Sequence, residues 1–139
     1  MARRVREIMI KQLVTVEMDT PLTVAARKMR DAGIGDVLVV EDGRLRGVAT
    51  DRDLVVRGVA EGRDPEQTPV RAVCSTTLVS IGPDDDVERA VILMRRNALR
   101  RLPVTEDGRP VGILSLGDLA IERDRESALA DISAARPNT

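Results

Sequence analysis

Residues 47–54 read GVATDRDL and residues 112–119 read GILSLGDL. In both, a glycine, two apolar residues and a hydroxyl lead to an Asp-Leu pair. Thr50 and Asp53 of the first stretch answer to Ser115 and Asp118 of the second, 65 residues further on. At that spacing residues 5–54 lie over 70–119 without a gap, and 16 of the 50 pairs are identical. Among them are Leu13/Leu78, Asp19/Asp84, Ala25/Ala90, Met29/Met94, Gly43/Gly108 and Gly47/Gly112, while Val16/Ile81 and Val48/Ile113 are conservative. A match this long and regular makes the chain two copies of one unit.

Each copy reads element by element. The β-branched runs LVTV (13–16) and LVSI (78–81) predict strands. A helix start follows: Thr20 is placed to cap with Pro21 at the first helical position, and Asp85 with Glu88 resembles a capping box. Leu22, Ala25, Ala26, Met29 and Val87, Ala90, Val91, Met94 then keep the i, i+3, i+4, i+7 spacing of one buried helix face. In DVLVVEDGRLRGVAT (36–50) and RLPVTEDGRPVGILS (101–115) two apolar runs flank Asp-Gly, a pair suited to a hairpin turn with positive φ. A second helix is expected over 51–62 and over 116–132. The unit is β-α-β-β-α, a mixed α/β (α+β) arrangement. Repeat one covers 5–62 and repeat two 70–132, with 63–69 as linker inside the polar stretch GVAEGRDPEQTP (58–69) and a disordered tail expected over 133–139. A lone unit leaves one sheet face bare, so the copies are expected to pack through their sheets with pseudo-twofold symmetry.

Composition narrows the functions. The 139 residues are 42% hydrophobic and 32% charged, with no Phe, Tyr, Trp or His. Net charge is −1 and the pI about 5.6, so nothing global attracts nucleic acid or an anionic membrane, and no aromatic platform exists for bases. The start, MARRVREIMIK, lacks the apolar run of a signal peptide, and a cytoplasmic protein is expected. Without histidine, and with no Ser or Cys beside a recognisable base, the usual nucleophile arrangements are missing and catalysis is not expected. Zinc wants several Cys or His ligands, and the chain has one cysteine, Cys74. Cys74 suits a buried structural position better than a redox role, and Met29 and Met94 suit core filling. The run Asp84-Asp85-Asp86 offers hard-cation ligands but is equally a helix start.

Two readings fit the hydroxyl–carboxylate pair. As helix caps, Thr50 with Asp53 and Ser115 with Asp118 would each contribute ~1 kcal/mol. As a binding site, residues at i and i+3 share one side of the helix. The carboxylate can accept from both hydroxyls of a ribose, the hydroxyl can bind a sugar or phosphate oxygen, and the helix entrance favours an anion. That combination suits a ribonucleotide.

A β-α-β-β-α unit ending in G-h-h-[TS]-x-x-D-L, with Glu-Asp-Gly between its strands, resembles a CBS domain, and two in tandem resemble a Bateman module. The resemblance covers residues 5 to about 125. TDRDLVVRGVAEGRDP is also similar to small stand-alone actinobacterial CBS-pair proteins of the hypoxic response protein type. The resemblance implies a regulatory pair that binds an adenosyl ligand such as AMP, ADP, ATP, S-adenosylmethionine or NAD(H) in the cleft between repeats. Asp53 and Asp118 would hold ribose, and Thr50 and Ser115 would touch ribose or phosphate. Adenine would lie near Val16, Ile81, Val39 and Val104. Arg100 and Arg101, before the second copy's hairpin, resemble the family's phosphate-contacting stretch, and a planar guanidinium suits phosphate. Copy one has Gly35 and Asp36 there, with Arg52 as its one compensating charge. All three arginines equally suit solvated surface. The second site is therefore favoured, and a di- or triphosphate at the first is disfavoured. A homodimer is also implied, with Leu54, Val55, Leu119 and Ile121 available to an interface or to the core of one chain. The alternative function is a ligand-free association module with an unidentified protein target, its motifs serving only as caps.

Overall fold

The structure is a computed structural model and describes residues 3–123. In chain order it contains α1 (Val5–Ile8), β1 (Thr15–Glu17), α2 (Leu22–Ala32), β2 (Asp36–Glu41), β3 (Arg44–Thr50) and α3 (Asp51–Asp53). The last continues as a π-helical stretch over Leu54–Val59. A 3-10 turn (Val70–Ala72), α4 (Val87–Asn97), β4 (Arg101–Glu106), β5 (Arg109–Ser115) and α5 (Leu116–Arg123) follow. The mixed α/β character and the two repeats stand as expected. The parts of the second helix and tail beyond Arg123 lie outside the described residues.

Two compact units are present, and their boundaries differ from those of the repeats. One is Val14–Leu78; the other joins the described residues up to Leu13 with those from Val79 to Arg123. The leading segment of each copy thus packs on the body of the other. Its main-chain hydrogen bonds are the same in both units. Val70 N donates to Thr20 O at 2.7 Å and Val5 N to Asp85 O at 2.9 Å. Val48 and Ser75 exchange bonds of 3.0 and 2.9 Å, as Ile113 and Ile10 do at 2.9 and 2.8 Å. Arg71 pairs with Asp19. In the matching place Arg6 Nε lies 2.8 Å from Asp84 Oδ1, which raises the guanidinium pKa and lowers that of the carboxyl.

This exchange explains why the expected caps are not used. The first N–H of α2 donates to Thr68 O at 3.0 Å and the next to Pro65 O at 3.1 Å, while the first N–H of α4 donates to Arg3 O at 2.9 Å. With those donors satisfied by carbonyls, neither helix has a side-chain cap; Pro21 and Asp86 hold the cap positions rather than Thr20 and Asp85. Asp85 Oδ2 instead accepts from Gly82 N at 2.8 Å. The linker is a cap for α2, not a loose spacer.

In the first unit β2 pairs in parallel with β1 and antiparallel with β3. Leu22, Ala25 and Met29 of α2 meet Val16, Val37, Val39, Ala49 and Leu54 in its core. The second unit repeats this with Ala90, Met94, Ile81, Leu102, Val104, Leu114 and Leu119. Both hairpins turn at Asp-Gly with positive φ, 54° and 76° at Asp42-Gly43 and 54° and 79° at Asp107-Gly108. Each sheet also shifts register at the same point, Val39/Val40 and Val104/Thr105.

The copies part where single residues differ. LVSI (78–81) is not a strand: only Ile81 bridges, to Val104. In copy one Leu38 N donates to Val14 O at 3.0 Å. The corresponding donor to Val79 belongs to Pro103, which has no N–H, so the parallel ladder shrinks to one bridge. The helix after β3 is not a plain α-helix either. Ala60 N reaches Val55 O at 2.8 Å and Arg63 N reaches Gly58 O at 3.1 Å, five residues back. This wide turn seats Gly58 on α2, where a Cβ would lie 2.9 Å from Leu22 Cδ1.

Two stability predictions follow from these differences. Gly33 ends α2 at φ 66°, but its counterpart Ala98 takes the same left-handed turn at φ 53°. Relieving that strain, Ala98→Gly should raise stability by about 1 kcal/mol in urea unfolding; an unchanged or lower midpoint contradicts it. A Cβ on Gly47 would sit 2.7 Å from the Ser75 carbonyl oxygen, whereas on Gly112 it would first meet the flexible Met9 side chain. Gly47→Ala should therefore cost about 2 kcal/mol and Gly112→Ala about 1 kcal/mol. The reverse order overturns this reading.

Candidate functional site

Each hairpin ends on the hydroxyl where a helix begins. Thr50 is still extended (φ −106°, ψ 162°) when Asp51 opens α3. Its Oγ1 accepts from Asp53 N at 3.0 Å, and its own N–H donates to Asp53 Oδ2 at 2.9 Å. Ser115 and Asp118 repeat the reciprocal pair at 3.1 Å in each direction. The caps exist at both motifs, each satisfying one helix-entrance N–H and one strand-end N–H. Only Oδ2 is used. The Oδ1 atoms of Asp53 and Asp118 accept no hydrogen bond from the described residues.

The residue before each hairpin is tied to the same entrance. Asp51 N donates to Gly35 O and Leu116 N to Arg100 O, both at 2.8 Å. Across the ladders Asp36 faces Thr50 and Arg101 faces Ser115. The structure therefore gathers Thr50, Asp53, Asp36 and Arg52 at one entrance, and Ser115, Asp118, Arg100 and Arg101 at the other. Arg52, Arg100 and Arg101 are exposed and Asp36 is buried. Val16, Val39, Ile81 and Val104, expected beside a base, are enclosed in the two cores at 3%, 0%, 3% and 0% exposure. Strand alternation turns Val16, Val39 and Val104 toward the unit's own core, and the single bridge of Ile81 to Val104 brings Ile81 to the same place.

Of the residues offered for a dimer interface, Leu54 and Leu119 belong to the cores, Ile121 is half-buried and Val55 is open. Val55, Val56 and Val59 are 57%, 43% and 66% exposed along the π-helical stretch.

Two features were not singled out from the sequence. Asp51 places Oδ2 3.0 Å from where a Cβ on Gly35 would be; its replacement by Leu116 in copy two was the visible signal. Arg57 Nη1 donates to Val73 O at 3.1 Å and, longer, to Cys74 O at 3.5 Å, fastening the helix to the exchanged segment. Cys74 is 6% exposed in the core, and burial pushes its thiol pKa up, with Asp53 nearby adding to the rise. In the second unit a cavity of about 380 Å³ lies between α4 and α5, and Leu99 and Leu116 help to line it.

The CBS-domain sequence model matches residues 5–58 and 70–124. The CBS domain-containing protein YhcV of Bacillus subtilis is 42% identical over 133 residues, covering 93% of this chain and 94% of that one. Hypoxic response protein 1 of Mycobacterium tuberculosis is 32% identical over 83% of this chain and 81% of its own. The crystal structure of Hypoxic Response Protein I with two coordinated zinc ions superposes with a TM-score of 0.79 at 31% identity, over 85% of this chain and 97% of that one. The CBS domain pair of MJ0100, in complex with 5′-methylthioadenosine and S-adenosyl-L-methionine, shares the fold (TM-score 0.79, 20% identity, 91% and 99% covered). The coordinated zinc is a feature of that structure, and the ligands zinc favours are scarce in this chain. This chain has no histidine, its one cysteine is buried, and no group of three or more His, Cys, Asp or Glu suited to a metal occurs among the described residues. Nor is any described helix long and apolar enough to cross a membrane. Repeat, hairpin, capped entrance and likeness agree: the chain belongs to the CBS-domain family and carries two CBS domains in tandem.

Proposed function

We propose that the chain is a non-catalytic ligand sensor that holds an adenosyl compound at its helix entrances. AMP, ADP, ATP, S-adenosylmethionine and NAD(H) are the candidate ligands. The observation that carries this reading is the second oxygen of each capping carboxylate. Oδ2 is fixed on the strand-end N–H, so the carboxylate is held in one orientation while Oδ1 keeps its lone pairs for a ribose hydroxyl. Capping and binding are then compatible uses of one side chain. The fold is one that holds 5′-methylthioadenosine and S-adenosyl-L-methionine in MJ0100. Signal output would require the ligand to favour one arrangement of the chain, or of its homodimer, over another.

A ligand-free association module is the second reading. The exposed valines at 55, 56 and 59 favour it, as does the fact that caps alone account for both motifs. In that case the chain works by pairing with a second copy or with a protein target.

Titration calorimetry with the five candidate ligands separates the two. The sensor reading expects saturable heat from at least one of them. Asp118→Asn, which keeps a neutral acceptor for the cap, should weaken binding at the second entrance at least tenfold while circular dichroism and the urea midpoint remain close to wild type. Heat unaffected by Asp118→Asn and by Asp53→Asn, or no heat from any ligand, refutes the sensor and leaves the module.

A further inference from the structure

We propose that the cavity between α4 and α5 binds a small aliphatic molecule with an anionic head, a medium-chain carboxylate in kind, and that Arg95 takes the head. This goes beyond the nucleotide reading and stands whether or not the helix entrances hold a nucleotide, since neither Ser115 nor Asp118 lines the cavity. Met94 and Leu119, 4% and 3% exposed, form its floor, with half-buried Val91 and Leu99 as walls. Leu116, 53% exposed, stands at the rim with the exposed Arg95. At roughly 30 Å³ for a water-sized group, the volume of about 380 Å³ admits about a dozen heavy atoms, the size of decanoate.

An apolar cavity with one cation at its mouth matches a molecule that is apolar along its length and charged at one end. Arg95 makes no ion pair or side-chain hydrogen bond with another described residue. Its neighbours one helical turn away are Val91, Ile92, Ala98 and Leu99, so no carboxylate on α4 stands beside it. Its stem can lie along the apolar wall while the guanidinium stays in water and meets a carboxylate through paired N–H donors. Copy one differs at both points. Arg30, the counterpart of Arg95, holds Asp31 at 3.0 Å, where copy two has Arg96 instead. Asp51 takes the place of Leu116, and a carboxylate there would repel an anionic head and draw water to the wall.

Amide NMR of the full chain titrated with decanoate, octanoate and 1-decanol tests the proposal. Decanoate should shift Val91, Leu99, Leu119 and Ala120 saturably, and octanoate, two methylenes shorter, should bind about tenfold more weakly. Decanol fills the same space without a charge and should bind several-fold more weakly than decanoate. Arg95→Gln, at an exposed position, should bring decanoate down to the level of decanol and leave decanol unchanged. Decanoate binding indifferent to Arg95→Gln, or shifts confined to residues outside α4 and α5, overturns the proposal. So does the absence of any saturable shift, the result expected if a second copy or residues 124–139 cover the cavity. None of these outcomes touches the nucleotide reading, which the adenosyl titrations decide separately.

Discussion

At each motif a hydroxyl and a carboxylate three residues apart satisfy one another's main chain, and the geometry of both units turns on that exchange. The strand-end N–H needs an acceptor just as the first helical N–H groups need theirs, and one short side chain at either end of the turn supplies both. The bond locks the angle at which β3 passes into the helix and β5 into α5. It also fixes a carboxylate at the helix entrance with one oxygen spent and one not. Fold and proposed function thus draw on different atoms of the same residue, which is why a capping role does not count against a binding one.

A second constraint lies in the exchange of leading segments. Neither α2 nor α4 caps itself; each uses a carbonyl from the segment preceding the other copy's first turn, Thr68 in one case and Arg3 in the other. A single repeat cut at its sequence boundaries would leave those helix N–H groups without their partners and remove Val70 and Val73 from one core or Val5 from the other. The duplication is therefore interdependent at the level of hydrogen bonds and core residues.

Much of this was legible in the residues. Asp-Gly fixed both turns because positive φ has a side-chain signature, and the apolar spacing located Leu22, Ala25 and Met29 of α2 and Val87, Ala90 and Met94 of α4, whereas Ala26, read onto the same face, is exposed. The capping pairs were visible for the same reason. What was hidden was carried by main-chain carbonyls, which have no signature: the caps from Thr68, Pro65 and Arg3, and with them the swapped segments. Asp85 looked like a cap because its spacing to Glu88 fits one, yet a carbonyl already satisfied the helix and Asp85 closed the Gly82 turn instead. LVSI (78–81) was read as a strand because nothing in it shows that its partner for the next bond is Pro103, a residue without an N–H; that pairing becomes evident only once the strands are in register. At the site, alternation along the strands set Val16, Val39 and Val104 into the cores, and one bridge to Val104 set Ile81 there. Asp51 gained meaning only when its carboxylate was seen above Gly35.

The central claim is that one carboxylate oxygen holds the fold while the other holds a sugar. A crystal structure of the chain grown with adenosine and AMP tests it directly. The account predicts a ribose hydroxyl within hydrogen-bonding distance of Asp53 or Asp118 Oδ1, with Oδ2 still on the strand-end N–H. A bound ribose that leaves both carboxylates untouched, or that displaces Oδ2 from its cap, would contradict it.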